Sequence, residues 1–154
     1  EEIWQSSKNL LDQEKSVFLS SFSSRTEQIQ ANISKQDWKR IFEIKEEVNQ
    51  TIEELRNDNK LKGSLDAAVT LSLSSEDKKI IDKLGNELHF LFITSKANTV
   101  LGDDLKVKIS VSQDEKCNRC WHRDESVGSV EKHSEICIRC ISNIDEEGEN
   151  REFV

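Results

Sequence analysis

Apolar positions at steps of three and four mark residues 37–61 as the clearest helix in the chain. Trp38, Ile41, Ile44, Val48, Ile52 and Leu55 collect on one face. The other face is charged, with Lys39 and Glu43 spaced as an i,i+4 pair. Ser34 with Asp37 offers a capping box at the entry. Lys60 and Lys62 suit the negative end, and Gly63 is placed for a left-handed stop. The period then drops to two. Leu65, Ala67, Val69, Leu71 and Leu73 alternate with more polar neighbours, which predicts a half-buried strand over 65–73. Ser74 and Asp77 suggest a second capping box, followed by an amphipathic helix through Ile80, Ile81, Leu84 and Leu88. Gly85 inside that helix would cost about 1 kcal/mol relative to Ala. Residues 90–94 read as a second strand, 98–104 as a turn region around Gly102, and 105–111 as a third strand. Helix, strand, helix, strand, strand describes a small α+β module. Ahead of it, Ile3, Trp4, Leu10 and Leu11 have helical spacing, with Trp4 a core anchor, and residues 16–24 look extended or irregular.

The predicted organisation is therefore a helical segment over 1–62, an α+β junction module over 63–111 and a cysteine module over 112–154. Composition sharpens this. Charged and apolar residues each make up 34% of the 154 residues, so the core is expected to be thin or completed by other parts. There is no methionine, which leads us to expect a piece of a longer protein. No apolar run approaches the roughly 18 residues of a membrane span, and no secretory signal opens the chain. Reduced thiols, a cytoplasmic location and no membrane partner are the expectation. The net charge of −8 divides as −2 over residues 1–64, −1 over 65–111 and −5 over 112–154. That is not the basic footprint of an independent nucleic-acid binder.

The candidate chemistry lies in one stretch. Cys117-Asn-Arg-Cys120 is followed after sixteen residues by Cys137-Ile-Arg-Cys140, and these are all the cysteines of the chain. Two such pairs at this separation signal one tetrahedral zinc held by Cys117, Cys120, Cys137 and Cys140. Four protein ligands leave no open position, so such a site is structural. Two disulfides or a redox pair remain alternatives, and His122 or His133 is an alternative ligand. The sequence has no glycine-rich phosphate loop, G-x-S-x-G or HExxH. His89, among apolar neighbours, reads as packed or capping.

Several stretches stand out together: Lys45-Glu-Glu-Val-Asn-Gln-Thr-Ile-Glu53, Gly63-Ser-Leu-Asp-Ala-Ala-Val-Thr-Leu71 and Leu91-Phe-Ile-Thr-Ser95. More specific are Lys116-Cys-Asn-Arg-Cys-Trp-His122, Val127-Gly128, Ile136-Cys-Ile-Arg-Cys-Ile-Ser-Asn143 and Gly148-Glu-Asn-Arg-Glu-Phe153. Together they resemble the C-terminal end of bacterial isoleucyl-tRNA synthetase. The resemblance runs from about residue 37 onward, and residues 1–36 would correspond to the end of the anticodon-binding domain. It implies a parent class I ligase that joins isoleucine to its tRNA, using ATP and passing through isoleucyl-adenylate, and that edits mischarged valine. The family's HIGH-like and KMSKS-like motifs are not in this sequence. The fragment is thus expected to be non-catalytic and to bind no ATP, with isoleucine tRNA and the rest of the synthetase as partners, in a monomer. The family's zinc ligands carry over to the four cysteines. Arg119 and Trp121, on the first zinc turn, are the expected tRNA contacts, through a donor fork and a stacking face. The opposing reading has Trp121 shielding the metal and Arg119 solvated. Two other identities stay open: the DNA-binding finger of an oxidised-base DNA glycosylase, although that family's N-terminal proline has no counterpart here, or a zinc-stabilised protein-interaction module.

Overall fold

The computed structural model describes residues 1–7, 14–20, 32–145 and 148–153. Two compact units divide at Ala31/Asn32. In the first, helix α1 (Glu2–Ser6) places the Trp4 indole N–H on the Glu14 carbonyl at 2.9 Å. A 3-10 turn (Val17–Leu19) follows, capped by Ser16. Leu10, Leu11 and residues 21–24 lie outside the described residues.

The second unit opens with α2 (Lys35–Asn57), entered through the expected capping box: Asp37 N–H donates to Ser34 Oγ at 3.0 Å, and Ser34 N–H to Asp37 Oδ2 at 3.3 Å. Its buried stripe is Ile41, Ile44, Val48 and Ile52. The helix ends before the predicted residue 61. Asn59 takes the left-handed conformation (φ 57°) whereas Gly63 is extended (φ −158°); asparagine tolerates that region because its short polar side chain bonds locally. Glu43 pairs with Arg40, not Lys39, and the Arg40 fork also grips Asp77 at 2.7 and 2.8 Å.

A three-stranded sheet forms one layer. The central strand β1 (Ala67–Leu73) pairs parallel with β2 (Lys96–Leu101) and antiparallel with β3 (Lys106–Val111). Its odd-numbered residues are buried and its even-numbered ones half-buried, as the period-two pattern required. Between β1 and β2 run α3 (Ser75–Ile81), a 3-10 stretch over Asp82–Glu87, and α4 (Leu88–Phe92). At the start of α3 only half the expected capping box is recorded, Asp77 N–H donating to Ser74 Oγ at 3.1 Å.

The region after β1 differs from the sequence reading in three ways. The expected strand over 90–94 is helix and turn, with Leu91 and Phe92 buried and Ile93 left-handed at the helix end (φ 56°). A short apolar run fits a buried helix as well as a strand. Residues 98–101, expected as turn, belong to β2, and the turn begins at Gly102. The single predicted helix is broken at Gly85, whose φ of 51° and ψ of −130° lie where only glycine is comfortable. The core joins α2, β1, α3 and α4 through Ile41, Val48, Leu71, Ile81, Leu84 and Phe92.

Gly85→Ala is expected to destabilise the fold by about 1–3 kcal/mol, where an uninterrupted helix would gain about 1 kcal/mol from the same change; urea unfolding decides the sign. The hydrogen bonds from Arg40 hold the Asp77 carboxyl below its ordinary value. Its contribution is therefore present above the unfolded carboxylate pKa of about 3.9 and fades as pH falls through the lower folded value. Arg40→Gln is expected to cost about 1 kcal/mol at pH 7, the pair being partly solvated. The gap to the unaltered chain should close below roughly pH 4 in parallel denaturation curves.

Candidate metal centre

The cysteines meet because two unlike turns face each other. The first is a tight hairpin knuckle. Trp121 N–H bonds the Cys117 carbonyl at 2.9 Å, Cys117 N–H bonds the His122 carbonyl at 2.9 Å, and Lys116 bridges Arg123. Trp121 takes φ 67° to make the reversal. The second is the start of α5 (Ile138–Asp145), where Cys137 precedes the helix and Cys140 lies in its first turn. A helix start favours negative charge, which suits thiolates.

The four Sγ atoms lie within 4.8 Å of one another, and all four cysteines are free thiols. Cys117–Cys140 and Cys120–Cys137 sulfurs are each 3.7 Å apart. A disulfide needs about 2.05 Å, whereas a zinc–sulfur bond of about 2.3 Å sets tetrahedral sulfur–sulfur edges of about 3.8 Å. Cys117, Cys137 and Cys140 are buried, with Val127 and Ile136 packed on them. Burial opposes ionisation of Cys117, but backbone N–H donors from Cys120, Cys137 and Arg119 outweigh it and bring that thiol to about 6. Burial raises Cys120 and Cys137. A cation at the centre resolves this conflict, since it would neutralise sulfurs that burial alone keeps protonated. The donor set thus fits zinc.

Among the described residues the metal-type cluster contains only these sulfurs. The His122 ring stands edge-on to His89 and Phe90, its Nε2 buried with no hydrogen-bond partner among the described residues, and its Nδ1 lies 3.3 Å from the Cys120 carbonyl. Burial lowers both His122 and His89, and the Arg139 and Arg151 guanidiniums depress both further; His122 also depresses His89, whereas Asp124 works against the lowering at His122. His133 bonds Asp145 instead, at 2.8 Å. Arg119 and Trp121 flank Cys120 as the sequence requires. The Arg119 Nη1 reaches Cys140 Sγ at 3.6 Å, so its fork is partly committed to sulfur. Trp121 is 61% exposed, with the Lys116 ammonium 5.6 Å from its ring centroid.

Sequence reading missed how the module is anchored. The end of the chain is a strap: Glu152 and Phe153 N–H groups donate to the Glu87 carboxylate at 2.6 and 2.9 Å. Phe153 packs on the core. Arg139 and Arg151 both lie over the Phe90 ring, at 4.9 and 3.9 Å. These partners are far apart in sequence and leave no periodic signal. Glu146 and Glu147 lie outside the described residues.

Comparison with known proteins places the chain. Residues 114–143 match the family described as a zinc finger found in FPG and IleRS. Residues 1–71 match the anticodon-binding domain of tRNA ligase. The isoleucine–tRNA ligase of Coxiella burnetii is 37% identical over 166 aligned positions covering 99% of this chain. That of Shewanella halifaxensis is 36% identical over 81% of the chain, and that of Idiomarina loihiensis 40% over 75%. The chain spans 18%, 15% and 14% of these relatives' lengths respectively. It belongs to the isoleucine–tRNA ligase family, as a C-terminal region containing anticodon-binding and zinc-finger parts.

Proposed function

We propose that this chain is the tRNA-engaging, zinc-stabilised end of an enzyme that joins isoleucine to its tRNA, with ATP, through isoleucyl-adenylate, and that clears mischarged valine elsewhere in the protein. The chain itself performs no adenylation and binds no ATP. Residues 1–62 would complete the anticodon-binding helices, 63–111 form the junction, and 112–154 the finger. Cys117, Cys120, Cys137 and Cys140 would hold one zinc, which supplies charge neutralisation and cross-linking and no reaction step. The whole enzyme would work as a cytoplasmic monomer, and no described helix here is long and apolar enough to cross a membrane.

The observation that carries the RNA-facing part is the exposure of Trp121. A shielding residue would lie over the sulfurs, yet Val127 and Ile136 occupy that role while the indole faces solvent. Its flat surface suits a splayed base, and RNA recognition favours unstacked bases. Arg119 would act beside it, with one nitrogen kept by Cys140. The glycosylase reading shares the finger family but not the anticodon-binding match over 1–71. A protein-interaction module is the reading to fall back on if isoleucine tRNA fails to bind.

Under reducing conditions, metal analysis of the purified chain is expected to give one zinc. Cys137→Ser should leave well under one equivalent and loosen residues 112–154, because folding and metal binding are coupled in such modules. In the full enzyme, Trp121→Ala is expected to cost tRNA binding about 1–3 kcal/mol with zinc and melting temperature retained. Joint loss of zinc and stability would instead mark Trp121 as part of the zinc site. Unimpaired charging by a zinc-replete Arg119→Ala, Trp121→Ala enzyme would rule out the contact role.

A further inference from the structure

We infer that Arg123 is a positioning residue that aims the first zinc knuckle, and with it Trp121, relative to the sheet; this rests on the tRNA reading above.

Arg123 belongs to the knuckle. Its backbone bridges Lys116 across the hairpin, one residue beyond the Cys117–His122 bond and two beyond Trp121. Every other bond it makes reaches toward the α+β module or the segment joining the two. Its N–H donates to Ser95 Oγ at 2.7 Å, its Nε to Asp66 Oδ1 at 2.6 Å, and its Nη1 to the Asp114 carbonyl at 3.1 Å. Those receivers are themselves fixed. Ser95 precedes β2, donating its hydroxyl to the Leu65 carbonyl and its N–H to the Ala67 carbonyl at 3.1 Å. Asp66 precedes β1, and its carbonyl accepts from Ser112 N–H at 2.8 Å. Asp114 is tied to Lys96 at 2.7 Å.

One residue thus spans the starts of two parallel strands and the segment leading into the finger, its backbone N–H at β2 and its guanidinium on Asp66 ahead of β1 and on Asp114. The guanidinium is planar with donors in a fixed fork, so satisfying Asp66 and Asp114 together fixes its orientation. The side chains of Arg123 and Asp66 are 29% and 20% exposed, so the pair is mostly withdrawn from solvent. Tail and α5 contacts hold the finger's other side, through Arg139, Arg151 and Glu87. Truncating the Arg123 side chain would leave the zinc cluster intact and only the backbone N–H bond to Ser95 on this side, letting the knuckle turn about that bond and the second attachment. Partial unfolding lowers the active fraction and hence kcat, whereas a mis-aimed knuckle raises KM for tRNA.

The test uses the full-length ligase with Arg123→Ala, Arg123→Lys, Asp66→Asn and the Arg123→Ala, Asp66→Asn double variant, with pyrophosphate exchange as internal reference. Expected are one zinc per chain, unchanged adenylate formation and a rise in KM for tRNA of about ten-fold in Arg123→Ala, a misplacement of about 1 Å being able to cost more. Asp66→Asn should raise KM in the same sense, the double variant should be no worse than Arg123→Ala, and Arg123→Lys should recover part of the loss. Unchanged KM in zinc-replete Arg123→Ala and Asp66→Asn enzymes overturns the proposal, as do additive effects. If Arg123→Ala loses zinc, Asp66→Asn, which leaves the finger's own residues untouched, decides. Trp121→Ala run alongside separates the two readings. Raised KM there with unchanged KM in the Arg123 and Asp66 variants sinks only the positioning role; unchanged KM throughout sinks both.

Discussion

The second compact unit depends on the one-sided burial of β1. Ala67, Val69, Leu71 and Leu73 are each fully buried, and β2 and β3 hang on either edge of the same strand. Burying such side chains contributes about 1.5–3 kcal/mol each for the larger ones, so the strand is the most costly place to shift register. A slip of one residue would turn Ala68, Thr70 and Ser72 inward. Everything attached to the strand inherits that precision. The finger is attached there too, through Asp66 at the strand's start and Ser95 beside it.

What was legible in the sequence was what has a period or a fixed spacing. The α2 stripe, the Ser34–Asp37 box, the alternation of β1 and β3 and the paired C-x-x-C motifs all carry local signals, and the structure contains these elements. The region between β1 and β3 was misread because its signals conflict. Leu88 to Phe92 is apolar on too many positions to show a helical face, and its burial on several sides explains why. The polar residues of β2, such as Asn98 and Thr99, resemble loop; they form an edge strand whose pairing is satisfied by β1. The tail strap was illegible for another reason. Glu87 and Glu152 meet only after the chain has closed through the finger, so no window of sequence contains both.

The cysteine module shows how two scales of order combine. Spacing within each C-x-x-C brings two sulfurs together, but the distance between the pairs is set by the knuckle meeting the start of α5. Cys137 N–H donates to Cys117 Sγ at 3.4 Å, which ties the two turns directly. The apolar content around the sulfurs is small, chiefly Val127 and Ile136. A module this thin lacks the buried area to order itself by packing, so a central cation and the contacts to α4 have to supply the rest.

Charge then limits how such a module can meet RNA. Residues 112–154 hold eleven acids against six bases. Each base already has an internal partner: Lys116 the Trp121 ring, Arg119 the Cys140 sulfur, Arg123 Asp66, Lys132 Asp145, and Arg139 and Arg151 Glu149. Phosphate attraction grows with the number of cations free to release counterions, and here that number is small. If this end engages tRNA, as proposed, the favourable term has to come from contacts that need no net charge, and the exposed indole of Trp121 provides one. Stacking is short-ranged and tolerates little misplacement. A module that relies on it gains more from being held in a fixed orientation than from being basic, and both its attachments, at Arg123 and at the strap, spend positive charge on holding it.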